Sequence, residues 1–307
     1  MTRTDVKESG RYHYRFDHLI QAAREHALQR LQGMDDCVYP EDVTLVETDD
    51  HIVRRFLIAN TGNLPSAVYK MIEALKWVKK MRYRDIGDNY FPQEMWFVGG
   101  IFLYEEDLDG HPTIHLRLKF FQKIKELSDA VKHFFGYLLW KVDQIAGPKG
   151  YTIVADFNGV HFSNYDLGML MFIVEVKDYI PQGAHSIIAV DCPWFMRAAW
   201  NTVKYALPSE RRDQMMLMSC EDLGRVIDRR HLPFFLGGTC QRVFLGETVV
   251  PHGCPDAIAF GTSLGINKSV CEKIWKMYEP FVQEVKDSLL LFNDNNNCKN
   301  VSYASRG

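Results

Sequence analysis

Hydrophobic positions recur along the chain with two periods, and its elements change where one period gives way to the other. From Phe16 to Leu31 the apolar residues fall at Phe16, Leu19, Ile20, Ala23, Ala27 and Leu31, the spacing of one helix face, ended by Gly33. Residues 33–48 read as a loop around Pro40. Asp49-Asp50 sets acidic groups at the positive end of a second helix that carries Ile52, Val53, Phe56 and Leu57. After Thr61-Gly62-Asn63 a third helix runs from Pro65 to Lys80, with Val68, Ile72, Leu75 and Val78 as its stripe. Its proline sits in the first turn, where the missing N–H costs nothing. Short helices in a bundle follow from this texture, and Phe91-Pro92 to Trp96 adds one helical turn.

The pattern then becomes strand-like. Val98–Tyr104 and Thr113–Phe120 are separated by Asp107, Asp109, Gly110 and Pro112, which is hairpin chemistry. Ser128–Ile145 is a long helix ended by Gly147-Pro148. The apolar run Tyr151–Phe157 breaks at Asn158-Gly159, and the amphipathic stretch Leu167–Tyr179 stops at Pro181 and Gly183. A second run, Ser186–Cys192, leads through Pro193 into a helical stretch ending at Leu207-Pro208. This is a βαβ unit with a further helix after it, so its strands are parallel and its crossover right-handed. Both runs are apolar on both faces, as a covered parallel sheet requires. Met215–Met218 is a last strand. Gly246–Gly265, rich in Gly, Pro and Thr, reads as an irregular tail. Ser269–Phe292 is one more amphipathic helix, with Ile274, Met277, Phe281, Val285 and Leu289 on one side. Residues 1–14 and the asparagine-rich end lack the apolar content for order.

The 307 residues suffice for one large domain or two modest ones, and 47% of them are apolar. A net charge of −3 gives no footprint for nucleic acid. Seven cysteines (37, 192, 220, 240, 254, 271 and 298) are scattered without a C-x-x-C pair, which fits reduced cytosolic thiols and no zinc site. The first residues lack the apolar core of a secretory signal, and no run is long enough to span a bilayer.

Candidate chemistry is sparse. Gly261-Thr262-Ser263-Leu264-Gly265 matches a nucleophile elbow, but the last histidine, His252, precedes the serine, so the hydrolase order fails. His111 and His115 flank Pro112 at a strand start and form no helical metal pair. Glu105–Gly110 mimics the opening of a calcium loop, yet the twelfth position is Leu116. Asp156 and Asp191 end neighbouring strands; in an enzyme they would be a carboxylate pair, but capping the following turns is the commoner use. No cofactor and no metal are expected.

Several short pieces stand in a telling order. Arg55-Phe56-Leu57 and Ala74-Leu75-Lys76-Trp77 come first, then Asp107-Leu108-Asp109-Gly110-His111-Pro112 and Asp156-Phe157-Asn158-Gly159-Val160. Asp191-Cys192-Pro193-Trp194, Leu232-Pro233 and Leu236-Gly237-Gly238-Thr239 follow. From Asp49 to Thr239 the chain resembles a CRAL-TRIO (Sec14-like) lipid-binding domain with its N-terminal helical extension. The resemblance implies an α/β fold: an N-terminal helical bundle, then a mixed five-stranded sheet covered by helices, with an apolar cavity and a gate helix. It divides the chain into an N-terminal helix and flexible segment (1–40), the extension (41–97), the lipid-binding domain (98–245) and a tail (246–307).

On that reading the gate runs from Pro193 to Leu207. Met196, Ala199, Trp200, Val203 and Leu207 form its apolar face, and Arg197, Asn201 and Lys204 the other. Trp194 and Phe195 stand at its start and suit a membrane interface, or equally serve as ordinary core aromatics. Expected pocket residues are Ile101, Leu103, Leu116, Leu118, Ile153, Ala155, Phe172, Val176, Ile188, Val190, Trp200 and Val203. Where phosphoinositide-transfer members of the family hold the inositol phosphate, this chain has Asn60, Thr61, Gln182, Arg211 and Gln214. Phosphate needs dense donors, so a ligand held mostly by its hydrocarbon fits better. A sixteen-carbon chain contributes about 13 kcal/mol against water, at about 0.8 kcal/mol per methylene.

The function implied is non-enzymatic binding, with transfer between membranes, of a hydrophobic lipid. The protein would be cytoplasmic and visit the endoplasmic reticulum or other endomembranes peripherally. The other reading is a protein-interaction or regulatory module with a vestigial cavity, residues 269–292 serving as its partner helix. On the first reading Trp200→Asp should block transfer without harm to the fold, and a chain ending at Phe244 should stay folded.

Overall fold

Four helices open the chain: α1 (Ile20–Leu31), α2 (Pro40–Thr48), α3 (Asp50–Ala59) and α4 (Leu64–Lys80). The structure is a computed structural model that describes residues 15–304, without the side chains of Glu210 and of residues 290–304; the expectations for residues 1–14 and 305–307 lie outside it. Helix α2 replaces the loop expected over residues 33–48. Pro40 takes its first turn and Glu41 and Asp42 follow, a start signal that a nine-residue helix makes easy to read as a turn. Helices α3 and α4 begin at true N-caps. The Asp49 carboxylate accepts from the His51 amide at 2.8 Å, and the Asn63 side chain accepts from the Ser66 amide at 3.0 Å. Their stripes interlock with α1 and α2 in a cluster around Leu57, Met71 and Ile72.

After a short helix, α5 (Gln93–Phe97), come five strands: β1 (Ile101–Glu106), β2 (Pro112–Arg117), β3 (Tyr151–Asp156), β4 (Ala184–Val190) and β5 (Met215–Met218). They lie side by side in chain order, β1 antiparallel to β2 and the rest parallel. The mixed five-stranded sheet is the one expected. Its hairpin turn is fastened from beneath by Asp107. One carboxylate oxygen accepts the amides of Asp109 and His111, both at 3.0 Å, and the other accepts the Thr152 hydroxyl at 2.7 Å. Thr152 in turn meets the Ser186 hydroxyl at 2.8 Å. The turn chemistry therefore also sets the start of β3 and β4.

One face of the sheet is covered by α6 (Ser128–Ala146), α7 (Leu167–Tyr179) and α8 (Arg197–Ala206). The other face carries Val154, Ile188 and Val190, which pack under Leu223, Ile227, Leu232 and Leu236 from a series of short turns. Phe102 and Tyr104 of β1 pack there under Phe244, Leu245, Val282 and Val285. The last two belong to α10 (Lys268–Ala304), which follows α9 (Ala257–Ser263). Of the expected irregular stretch 246–265, residues 257–263 thus form a helix: Asp256 caps α9, its carboxylate accepting the Ala259 amide at 2.7 Å. Nor is the apolar face of α10 free. Ile274 and Val285 are buried, and Phe281 and Leu289 pack on the sheet cluster; Met277 points away and is 56% exposed. The same helix continues through the asparagine-rich stretch expected to lack structure, because propagation from a packed helix costs far less than starting one.

His115 is buried in β2, its ring stacked on Phe102 at 5.2 Å. The Thr113 hydroxyl donates to the Glu105 carbonyl, so His115 Nε2–H donates to that hydroxyl and Nδ1 has no partner. Burial pushes its pKa down to about 3. Unfolded, the ring takes its proton near pH 6.5, so below that pH the unfolded chain binds more protons. The stability that depends on a neutral His115 is complete above pH 6.5 and falls by up to about 1.4 kcal/mol per pH unit toward pH 3. Melting curves between about pH 7 and pH 4 should therefore slope less steeply for His115→Phe than for the wild type. Identical slopes would show that the ring is not buried neutral.

Candidate functional site

The helix-covered face of the sheet is not filled. Between it and α6, α7 and α8 lies a cavity of about 180 Å³ walled by Leu116, Leu118, Ile153, Ala155, Ile187 and Trp200, among others. It shares Phe135, Ile153, Ile173, Ile187 and Val203 with a second space of about 370 Å³ that reaches Ala59 and Arg211. Together they enter the roughly 300–1,000 Å³ range of ligand pockets. The walls of the first are almost wholly carbon; polar groups gather in the second, at Lys177, Asp178, Gln182, Arg211 and Gln214.

Of the expected pocket residues, Leu116, Leu118, Ile153, Ala155, Trp200 and Val203 line the first space, Val176 the second, and Ile101 a third beyond it. Leu103 and Phe172 pack into the core beside these spaces without lining them. Ile188 and Val190 lie on the opposite face of the sheet, away from every cavity. The register explains the difference: Ile153 pairs with Ile187 and Ala155 with Ala189. Neighbours in register point the same way, so the cavity meets the odd-numbered residues of β4. Helix α7 contributes Met169, Leu170 and Ile173; residues 167–174 carry no charged side chain, so pattern alone does not tell which of their faces meets the cavity.

Helix α8 forms the outer wall. Met196, Ala199, Trp200 and Val203 face the first space and Leu207 the second, while Arg197, Asn201 and Tyr205 face solvent. Among the described residues, no side chain of Arg197–Ala206 hydrogen-bonds outside the helix; Thr202 donates to its own Ala198 carbonyl. The wall is held by apolar contact, which a lipid surface can replace, and by the Arg212 guanidinium over the Tyr205 ring at 5.2 Å. At its start Trp194 is 76% exposed, and Phe195 stacks on Phe162 at 4.2 Å. Phe162 is itself exposed, as are Leu167 and Met171 on the first turns of α7. Trp194, Phe195 and Phe162 form one aromatic cluster, close in the chain to the cavity-lining Met196 and Asn164, that pattern reading could not assemble, since Phe162 stands alone among turn residues.

A family model described as the CRAL/TRIO domain matches residues 98–238. The chain carries a CRAL-TRIO domain. Domains of this family bind small lipophilic ligands. The Sec14 cytosolic factor of Schizosaccharomyces pombe is 22% identical over 230 residues, a match covering 67% of this chain and 77% of the relative. A crystal structure of Sfh5 superposes with a TM-score of 0.52 at 15% identity, over 90% of this chain and 99% of that one, and supports the fold alone. A nearer likeness of the run Asp191–Ala199 to the CRAL-TRIO domain of motile sperm domain-containing protein 2, expected from the sequence, is not borne out by these matches. Among the described residues, no helix is long and apolar enough to cross a membrane.

The polar end of the CRAL-TRIO cavity is thinly charged. Lys177 pairs with Asp178 at 2.6 Å, and Lys70 with the same carboxylate at 2.8 Å. Arg211 donates to the Ala184 carbonyl and, at 2.8 Å, to Gln214, and burial lowers its pKa to about 10. Of the two cations that line this end, Lys177 is paired and Arg211 bonds a carbonyl and an amide oxygen, well short of a phosphate cradle.

Other candidate chemistry resolves into structure. Ser263 ends α9 and donates its hydroxyl to the Phe260 carbonyl at 2.7 Å, in a helix and not on a strained elbow. The Asp156 carboxylate accepts the Asn158 amide in the turn after its own strand, whereas that of Asp191 accepts the Cys220 amide just beyond β5, so each carboxylate holds a turn. Asp109, His111 and His185 gather at the far end of the sheet, with the two imidazoles stacked at 3.7 Å and 13°. Parallel rings send their in-plane lone pairs side by side and not toward one point, so the trio packs and does not chelate in this arrangement.

Proposed function

We propose that this protein binds a hydrophobic lipid without chemical conversion and carries it between membranes, with α8 as the gate. The observation that carries this reading is an apolar cavity whose outer wall is one helix with no side-chain hydrogen bond to another element among the described residues, with exposed aromatics at its start. Hydrocarbon leaves water at about 0.8 kcal/mol per methylene, so a carrier must enclose the tail in transit yet open where a bilayer replaces water. Trp194 and Phe162 suit that interface, and α8 can swing without breaking a side-chain hydrogen bond to another element. The cargo is recognised chiefly by its tail, given the sparse charge around Arg211. Such a carrier works from the cytoplasm and touches endomembranes transiently.

Trp200 is the wrong place to test the gate. It is only 7% exposed, and an aspartate there would be a buried unpaired charge that damages the fold. Trp194→Glu with Phe162→Glu changes the exposed aromatic cluster instead. These variants should melt like the wild type and lose at least tenfold in transfer of a fluorescent phospholipid between vesicles, each interfacial aromatic being worth about 1–2 kcal/mol. Unchanged transfer would remove the cluster from the mechanism. Organic extraction of the purified full chain should release a lipid; a chain that neither yields one nor takes one up from vesicles would leave only the protein-interaction module.

A further inference from the structure

A third apolar space adjoins the two described. It measures about 110 Å³ and lies between Met95, Ile101 and Phe134 on one side and Phe260, Ile274 and Trp275 of α9 and α10 on the other. It shares Phe121 and Val131 with the middle cavity. The middle cavity shares five other side chains with the polar-lipped space, whereas the two outer spaces share none. The three therefore stand in a row: a polar-lipped chamber, a carbon-walled middle, and an end chamber behind Phe121 and Val131.

Eight of the nineteen residues that line the end chamber come from residues 257–282, outside the stretch 98–238 that the family model matches. Resting on the proposed lipid binding, we infer that the C-terminal helices α9 and α10 extend the site, and that its cargo is a lipid with one long hydrocarbon tail whose tip lodges under Trp275. The serial order favours a long single chain over a compact ligand or two tails side by side, because cationic side chains, Lys177 and Arg211, line one end of the row only. Phe121 is the partition. It is half-buried and packs on both chambers, so a rotation of its ring joins them. Glu94 is the one carboxyl group in the end chamber, with one oxygen buried and unpartnered. Burial raises its pKa toward the neutral acid, which a hydrocarbon neighbour tolerates. Each methylene admitted past Phe121 strengthens binding about fourfold, so the end chamber selects chain length.

The test is photo-crosslinking on the full chain with two fatty acids, one medium-chain and one very-long-chain, each bearing a diazirine at its last carbon. The long probe should label the peptide containing Trp275 and Tyr278, and the medium probe the middle walls at Met169, Ile173 and Trp200. Long-probe adducts confined to the middle walls would overturn the extension and leave lipid binding intact. No adduct from either probe would overturn lipid binding itself. Ile274→Trp, which fills the end chamber, should weaken the very-long-chain acid at least tenfold and leave the medium-chain acid unchanged. An equal loss for both acids would count against the chamber. Phe260→Trp fills it from α9 and serves where Ile274→Trp melts early.

Discussion

Replacing Arg55 by alanine will lower the stability of this protein by about 3–5 kcal/mol, among the largest single-residue effects in the chain. Arg55 lies on α3, in the helical bundle, yet its partners lie elsewhere. Its guanidinium donates twice to the Asp143 carboxylate of α6, both at 2.8 Å, and Nε donates to the Pro181 carbonyl after α7 at 2.6 Å. Both side chains are buried, at 7% and 6% exposure. Burial alone would lower the Arg55 pKa, and the Asp143 carboxylate reverses that and raises it. Truncation strands a carboxylate in the interior, which is why loss of one partner costs more than the pair is worth. The melting temperature should fall by on the order of 10 °C. Removing both, as Arg55→Met with Asp143→Leu, should cost less than either single change, and a loss under about 1 kcal/mol for Arg55→Ala would refute the bolt. Gly183 is part of the same joint: a Cβ there would come within 2.6 Å of the Asp143 carboxylate, so Gly183→Ala should disturb the same joint.

Ending the chain after Phe244 will yield a protein that no longer melts in one cooperative step. Leu245, Val282 and Val285 are each at most 8% exposed, and they cover Val98, Phe102, Tyr104 and Phe120. At about 1.5–3 kcal/mol for each large apolar side chain returned to water, the loss reaches the roughly 5–15 kcal/mol that holds a whole domain folded. Scanning calorimetry with a hydrophobic dye reads this directly. A single sharp transition close to that of the full chain, without dye binding, would restore the view of residues 246–307 as an appendage.

The expectations that the structure reversed fail where local pattern is thin or where contacts are long-range. Residues 246–265 look irregular because Gly, Pro and Thr dominate them, and a seven-residue helix capped by Asp256 leaves almost no periodic trace. The stripe on α10 was legible, but amphipathicity says only that a helix covers something. Whether the covered surface is a partner or the chain's own β1 depends on contacts between Phe102 and Val285, far apart in sequence. The loop that became α2 failed for the same local reason. The pocket shows the limit most sharply. Along β3, Ile153 and Ala155 face the cavity as expected, but Ile188 and Val190 of β4, expected beside them, lie on the opposite face. A strand buried on both faces has no polar alternation to mark which side is which.

Local order along the backbone, the alternation of strand and helix, the turn motif at Asp107–Pro112, the parallel βαβ core and the two-faced helix after Pro193 were all encoded in short-range pattern. Those features depend on dihedral preference and on polarity a few residues away, which a one-dimensional string records. The facing of each strand, the depth of the hollow, the partner of Arg55 and the covering of β1 by the last helix came from packing between distant segments. Apolar contact is non-directional, so a string of greasy residues states that burial will occur but leaves the neighbours to the folded chain.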